Sequence, residues 1–115
     1  KGVSYIAVLT DRGKEAGRTA RVTGDEGIFA ALRDMDGLHV EYIWDMESDT
    51  LAFYDAVIIP NIGVSGVPPV MGDGWEERLR KYVLNGGAAM LCHHAVGYRP
   101  CDYPPFPEIG KHAMN

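Results

Sequence analysis

Runs of apolar residues alternate along the chain with longer segments in which apolar and polar residues are mixed. The apolar runs predict strands at residues 3–9, 40–44, 56–60 and 88–91. The run at 88–91 contains no polar residue, which is typical of a parallel strand buried on both faces. We therefore predict four strands, of which the second is the most mixed in polarity.

The segment after the first strand begins as a polar loop and continues as an amphipathic helix. Thr23 followed by Glu26 fits a capping box, in which side chains satisfy the free N–H groups at a helix start. The helix is expected to stop near Gly37. One face of this helix carries the apolar residues Ile28, Phe29, Leu32 and Met35.

A second helix is predicted after the third strand. Asp73 followed by Glu76 fits the same capping pattern, and two glycines after Asn85 end the segment. The face expected to pack on the sheet carries Trp75, Leu79, Tyr82 and Val83. The face expected to lie in water carries Arg78, Arg80 and Lys81.

Strands that alternate with helices imply a parallel sheet with right-handed crossovers. We predict an α/β domain at residues 1–96, with a flavodoxin-like open parallel sheet in three layers and about four strands. Its C-terminal part is expected to be missing. The strands at 3–9, 56–59 and 88–91 should be neighbours, and a single turn at 51–54 should link the second and third strands. Residues 97–115 are rich in proline and are predicted to form a loop covering the sheet edge.

Composition narrows the function classes. A net charge of −5 disfavours nucleic acid as a partner, and the apolar runs are too short to cross a membrane. No glycine-rich phosphate loop or standard zinc spacing is present, so we expect no cofactor and no metal. The two cysteines, Cys92 and Cys101, fit free thiols in a reducing, cytoplasmic compartment, and a single disulfide in a secreted protein is the alternative.

Polar residues follow three of the predicted strands directly. In open α/β sheets, ligands bind beyond the carboxyl ends of the strands, so these residues are the candidate site. Ordinary solvated loops and structural histidines are the competing interpretation. The candidates are Asp11 and Arg12 after the first strand, Asn61 and Gly63 after the third, Cys92, His93 and His94 after the fourth, and Tyr98 in the proline-rich segment.

The stretches YDAVIIPN at 54–61 and GGAAMLCHHA at 86–95 resemble the class I glutamine amidotransferase-like superfamily, and within it the ThuA-like (trehalose utilisation) domains. The resemblance implies an enzyme, or a degenerate enzyme, that acts on a carbohydrate-related small molecule. It also implies that His93 occupies the strand-to-helix elbow as a general acid/base. By comparison with that family, the chain is expected to lack the later strands that would carry the triad's histidine and carboxylate.

Two other functions stay open. A cysteine-dependent amidotransferase-like hydrolase needs small residues two positions either side of its nucleophile, whereas Met90 and His94 flank Cys92. Cys92 is therefore predicted to be a buried, unreactive thiol that points into the core. A non-catalytic module that binds a ligand or a neighbouring subunit is the other alternative. A homo-oligomer, or contact with a missing part of the domain, is compatible with either.

Overall fold

A computed structural model describes residues 2–12, 22–61 and 69–92 of the chain. Within them, four strands form one parallel sheet in the order β2-β1-β3-β4. The predicted neighbours are confirmed, because β1, β3 and β4 lie side by side. The strands are β1 (Ser4–Leu9), β2 (Leu38–Ile43), β3 (Ala56–Ile59) and β4 (Ala88–Leu91).

The position of β1 at the centre creates a switch point. After β1 the chain moves outward to β2, and after β2 it returns to the other side of β1 as β3. Ile6 is thus paired with Val40 on one side and with Ala56 on the other. Connections leaving β1 and β3 diverge, which opens a crevice between the carboxyl ends of these two strands.

Helices lie on both faces of the sheet, so the domain is an open three-layer α/β structure of the flavodoxin-like type. The first helix contacts β1 and β2, and the other two pack against each other on the opposite face. The predicted single turn is the second helix, which begins three residues earlier than expected. The helices are α1 (Asp25–Leu32), α2 (Ser48–Ala52) and α3 (Trp75–Leu84), and a 3₁₀ turn spans Pro69–Met71.

The main core lies between the sheet and the α2–α3 layer. Leu9 and Ile59 of the sheet are fully buried there with Leu51 of α2 and Leu79 of α3. Burying a leucine or isoleucine side chain stabilises a protein by about 1.5–3 kcal/mol, so these contacts hold α2 and α3 in place. Trp75 is also buried and Tyr82 packs against this core, as predicted for the inward face of α3, whereas Val83 is only half-buried.

Both predicted capping boxes are wrong. Each helix instead begins after a glycine in the left-handed conformation, Gly24 (φ 87°) and Gly74 (φ 78°), one residue later than predicted. Among the described residues, no side-chain oxygen caps either helix. Thr23 does not cap α1, because its backbone is held by Asn61, whose carbonyl accepts from the Thr23 N–H at 2.8 Å.

Three side chains on the predicted helix faces also differ from expectation, and one of them is Arg80, which is half-buried rather than facing water. Met35 is 53% exposed, because α1 ends at Leu32 and Met35 lies beyond it. Arg78 is half-buried rather than facing water, and its Nε donates to the Met46 carbonyl at 2.7 Å. A backbone carbonyl in a connecting loop needs such a partner, which explains the inward turn of the arginine.

The prediction that β4 is buried on both faces is wrong. Met90 is 57% exposed and Ala88 is exposed, while Ala89 and Leu91, on the α3 face, are half-buried. The physical reason is the placement of α1, which contacts β1 and β2 and leaves this face of β4 open within the described residues. The proline-rich segment predicted at 97–115 lies outside those residues.

Candidate functional site

Three of the predicted site residues lie just beyond the carboxyl ends of β1 and β3, the two strands that flank the switch point. Asp11 and Arg12 follow β1, and Asn61 follows β3. Thr23, just before α1, forms an isolated antiparallel bridge with Asn61 and so crosses the crevice between the two strands. The N–H of its neighbour Val22 donates to the Asp11 carboxylate at 2.9 Å. These contacts join the loops after β1 and β3 into one edge.

Asp25 is a functional candidate that sequence reasoning missed. It is the first residue of α1, it is 8% exposed, and its Oδ2 accepts a hydrogen bond of 2.5 Å from the fully buried Thr10 hydroxyl. The same hydroxyl accepts from the Arg12 N–H at 3.1 Å. A carboxylate at a helix N-terminus also interacts favourably with the helix dipole. Asp25 therefore fixes the loop that carries Asp11 and Arg12.

The Arg12 guanidinium is held by carboxylates of α1. Its Nη1 donates to Glu26, and its Nη2 lies 3.4 Å from Asp25. The hydrogen bond to Glu26 is the main cause that raises the pKa of Arg12. The guanidinium also lies 5.5 Å from the centre of the Tyr42 ring, within the range of a cation–π contact. Arg12 is thus oriented by its neighbours, although 46% of its side chain remains exposed.

Aromatic rings continue this edge toward β2. Phe29 of α1 stacks on Tyr42, with ring centres 4.3 Å apart, and Trp44 lies 6.2 Å from Tyr42. The Trp44 indole N–H donates to the Arg12 carbonyl at 2.9 Å, yet 41% of Trp44 remains exposed. An aromatic surface whose polar atom is already satisfied is suited to stacking against an apolar ligand face.

A cleft of about 400 Å³ opens beside these groups, lined by residues 11–12 and 22–27. Carboxylates outnumber the basic side chains of its described lining by three to one, as Asp11, Asp25 and Glu26 face Arg12 alone. Burying the carboxylates of Asp11 and Asp25 is unfavourable unless both are hydrogen-bonded. Asp11 meets that requirement by accepting from the Val22 N–H, and Asp25 meets it by accepting from the Thr10 hydroxyl.

Cys92 follows β4, and its backbone N–H continues the ladder by donating to the Ile59 carbonyl at 3.0 Å. Its side chain is half-buried, and burial raises the pKa of the thiol. That is the direction expected of an unreactive cysteine. Gly63, His93, His94 and Tyr98 lie outside the described residues, so their roles, and the inward orientation of Cys92, stay predictions.

A second cavity of about 530 Å³ lies between α2 and α3 at the opposite edge of the sheet. Tyr82 forms part of its wall and donates its hydroxyl to the Tyr54 carbonyl at 2.8 Å. The Tyr82 ring packs directly on Gly87, where an added Cβ would come within 2.3 Å of it. Sequence reasoning missed this groove, because residues of separate elements form it.

Three further properties hold for the part of the chain that the structure describes. No cluster of three or more His, Cys, Asp or Glu side chains suited to a metal ion is found in that part of the chain. No helix there has the length and apolar character needed to cross a bilayer. The buried indole N–H of Trp75 has no acceptor in the same regions.

Comparisons with protein-family models, with curated proteins and with solved structures found no match to this chain. The likeness to ThuA-like domains therefore rests on the sequence pattern alone.

Proposed function

We propose that this domain binds a small, hydroxyl-rich molecule of the carbohydrate class in the cleft at the carboxyl edge of the sheet. The observation that carries the proposal is the burial of Thr10, Asp11 and Asp25 together beside that cleft. Aspartate is seldom buried unless it is paired or hydrogen-bonded, and this edge is where open α/β sheets bind ligands.

The chemistry of the cleft is compatible with a sugar. Carboxylates accept hydrogen bonds from hydroxyl groups, and Asp11 and Asp25 line the cleft. Trp44 lies outside the cleft lining, but it is bonded to the Arg12 carbonyl and is 41% exposed, so its ring is available to a ligand that extends from the cleft past Arg12. Carboxylates in the cleft and an aromatic ring beside it are the groups that bind the hydroxyls and the apolar face of a sugar.

In this proposal the resemblance to ThuA-like domains supplies the catalytic part. His93 follows β4 by two residues and would act as general acid/base, with Gly63, His94 and Tyr98 as further ligand contacts. The alternative is a non-catalytic binding module that uses the same cleft. A cysteine-dependent hydrolase is less well supported, because a thiol with a raised pKa is mostly protonated at neutral pH.

Calorimetric titration with glucose and trehalose tests the binding proposal. Asp11→Asn keeps an acceptor for the Val22 N–H but removes the charge, and we expect sugar affinity to fall about tenfold, the value of one charge-assisted hydrogen bond. Asp49→Asn makes the same change in the α2–α3 groove and should leave affinity unchanged. Equal affinities for the two variants, or no binding of either sugar, would contradict the proposal.

Two further measurements separate the catalytic alternatives. Conversion of a bound sugar that is lost in His93→Ala would support the enzyme, whereas binding without conversion would support the module. In a Cys101→Ser background, iodoacetamide should label Cys92 slowly near neutral pH. Fast labelling would revive the cysteine-dependent hydrolase.

A further inference from the structure

We propose that the cleft excludes anionic ligands, so that it distinguishes a neutral sugar from its phosphorylated counterpart. This inference rests on the proposed function, since it names the class of sugar that the same site accepts. Three observations support it. Arg12 is already paired with carboxylates, the first turn of α1 already carries carboxylates, and carboxylates outnumber basic groups in the described lining of the cleft.

The first observation is that Arg12 is already paired. An arginine recognises phosphate through two parallel hydrogen bonds from its planar guanidinium. Here one terminal nitrogen of Arg12 donates to Glu26, and the other lies near Asp25 and the Tyr42 hydroxyl. A phosphate that approached this guanidinium would have to displace a carboxylate. Arg12 therefore neutralises the cleft wall instead of attracting an anion.

The second observation is that α1 begins with its own negative charges. Helix N-termini bind phosphate because their N–H groups are free and the helix dipole is positive there. Asp25 and Glu26 are both in the first turn of α1, and both line the cleft. Their carboxylates offset the favourable end of the dipole. The α1 N-terminus, the group that would hold a phosphate at this sheet edge, is thus already neutralised by its own carboxylates.

The third observation is the excess of carboxylates over basic groups among the described residues of the cleft. A phosphoryl group beside Asp11 and Glu26 would face like charges within a few ångströms. Such repulsion is larger near a protein surface than in bulk water, and like-charge contacts are a common means of rejecting a related ligand. A neutral ring with hydroxyl groups meets no such penalty.

Glu26→Gln is the sharpest variant, because Glu26 is largely exposed and its loss should leave the fold intact. Glu77→Gln is the matched control, since Glu77 is an exposed carboxylate that lies near Lys81 on α3. Inorganic phosphate is titrated into the wild-type protein and both variants while the amide signals of residues 25–28 are followed by NMR. Glucose and glucose 6-phosphate are then compared by calorimetry.

We expect Glu26→Gln to bind phosphate about threefold more tightly than the wild-type protein, the size of one exposed charge pair, and Glu77→Gln to be unchanged. We expect the wild-type protein to prefer glucose to glucose 6-phosphate by about tenfold or more. Equal binding of the two sugars, or phosphate binding at the α1 N-terminus of the wild-type protein, would overturn the inference while the proposed function stood. Absence of glucose binding with the expected phosphate result would instead remove the proposed function.

Discussion

The cleft at the carboxyl edge and the groove between α2 and α3 differ in how their polar groups are used. The groove is the larger cavity, but two of its charged side chains bond backbone atoms and a third, Lys81, lies near the exposed Glu77. Arg78 donates to the Met46 carbonyl, and Asp55 accepts from the Tyr5 N–H at 2.7 Å. In the cleft, Thr10, Arg12 and Asp25 bind one another through their side chains. We therefore base the proposed function on the buried side-chain network of the cleft rather than on the larger volume of the groove.

The largest expected effect is on the hydrophobic core between α3 and the sheet, which supports both the cleft and the groove. Leu79 is fully buried in the core between α3 and the sheet, so Leu79→Ala should lower the free energy of unfolding by about 2–5 kcal/mol. Urea denaturation followed by circular dichroism gives the value. Leu84→Ala is the matched control, because Leu84 is exposed and its loss should change stability by less than about 0.5 kcal/mol. Equal effects would mean that the inward face of α3 is misassigned.

The next effect is specific to the groove. Gly87→Ala places a methyl group against the Tyr82 ring and should destabilise the protein by about 1–3 kcal/mol. In a Tyr82→Ala background the same glycine substitution should have a much smaller effect, because the ring is gone. Additive effects in this double-mutant cycle, measured by chemical denaturation, would show that the close packing is not what constrains Gly87.

The comparable change in the cleft removes a buried acceptor. Asp25→Ala leaves the Thr10 hydroxyl without its 2.5 Å partner and should destabilise the protein by about 1–2 kcal/mol. Asp49→Ala is the control in the groove, since Asp49 is exposed on α2 and its substitution should be nearly neutral. Thermal melts of both variants decide the point. If Asp49→Ala is as harmful as Asp25→Ala, the contrast between the two regions fails.

The smallest expected effect is a difference in stability between the wild-type protein and a Tyr54 variant at alkaline pH. Burial, followed by the hydrogen bond to Glu41, raises the pKa of Tyr54 to about 12. The unfolded phenol ionises near pH 10, so the contribution of Tyr54 is fully present below about pH 10 and is lost as the pH rises toward 12. Tyr54→Phe should therefore lose less stability over this interval than the wild-type protein. Denaturation midpoints that fall in parallel across this range would contradict the raised pKa.

The sequence pattern was sufficient for the sheet but not for the details of its edges. Apolar runs predicted the strands and their neighbours correctly, because burial in a parallel sheet leaves a direct mark on composition. The apolar run at 88–91 was misleading, since an apolar strand can also leave one face open, as the exposure of Met90 demonstrates. The capping box at Thr23 failed because this residue pairs with Asn61, a contact made only in the folded chain.

The candidate site was predictable only in part. Asp11, Arg12 and Asn61 could be proposed because each directly follows a strand. Asp25 could not, because its importance comes from Thr10, which lies 15 positions earlier and meets it only in the folded chain. The paired state of Arg12 was equally hidden. A basic residue in a polar loop is compatible with anion binding until the carboxylates of α1 are located.

The bridge between Thr23 and Asn61 has a consequence for the order of assembly. The two residues are 38 positions apart, and their contact requires β1 and β3 to be already adjacent. Closing so long a segment is entropically unfavourable until the strands have docked, so the bridge should form late in folding. The Thr23 amide, although it lies outside any regular element, should then exchange its hydrogen with solvent only when the centre of the sheet opens. Its protection would report, from a single residue, whether the whole crevice is formed.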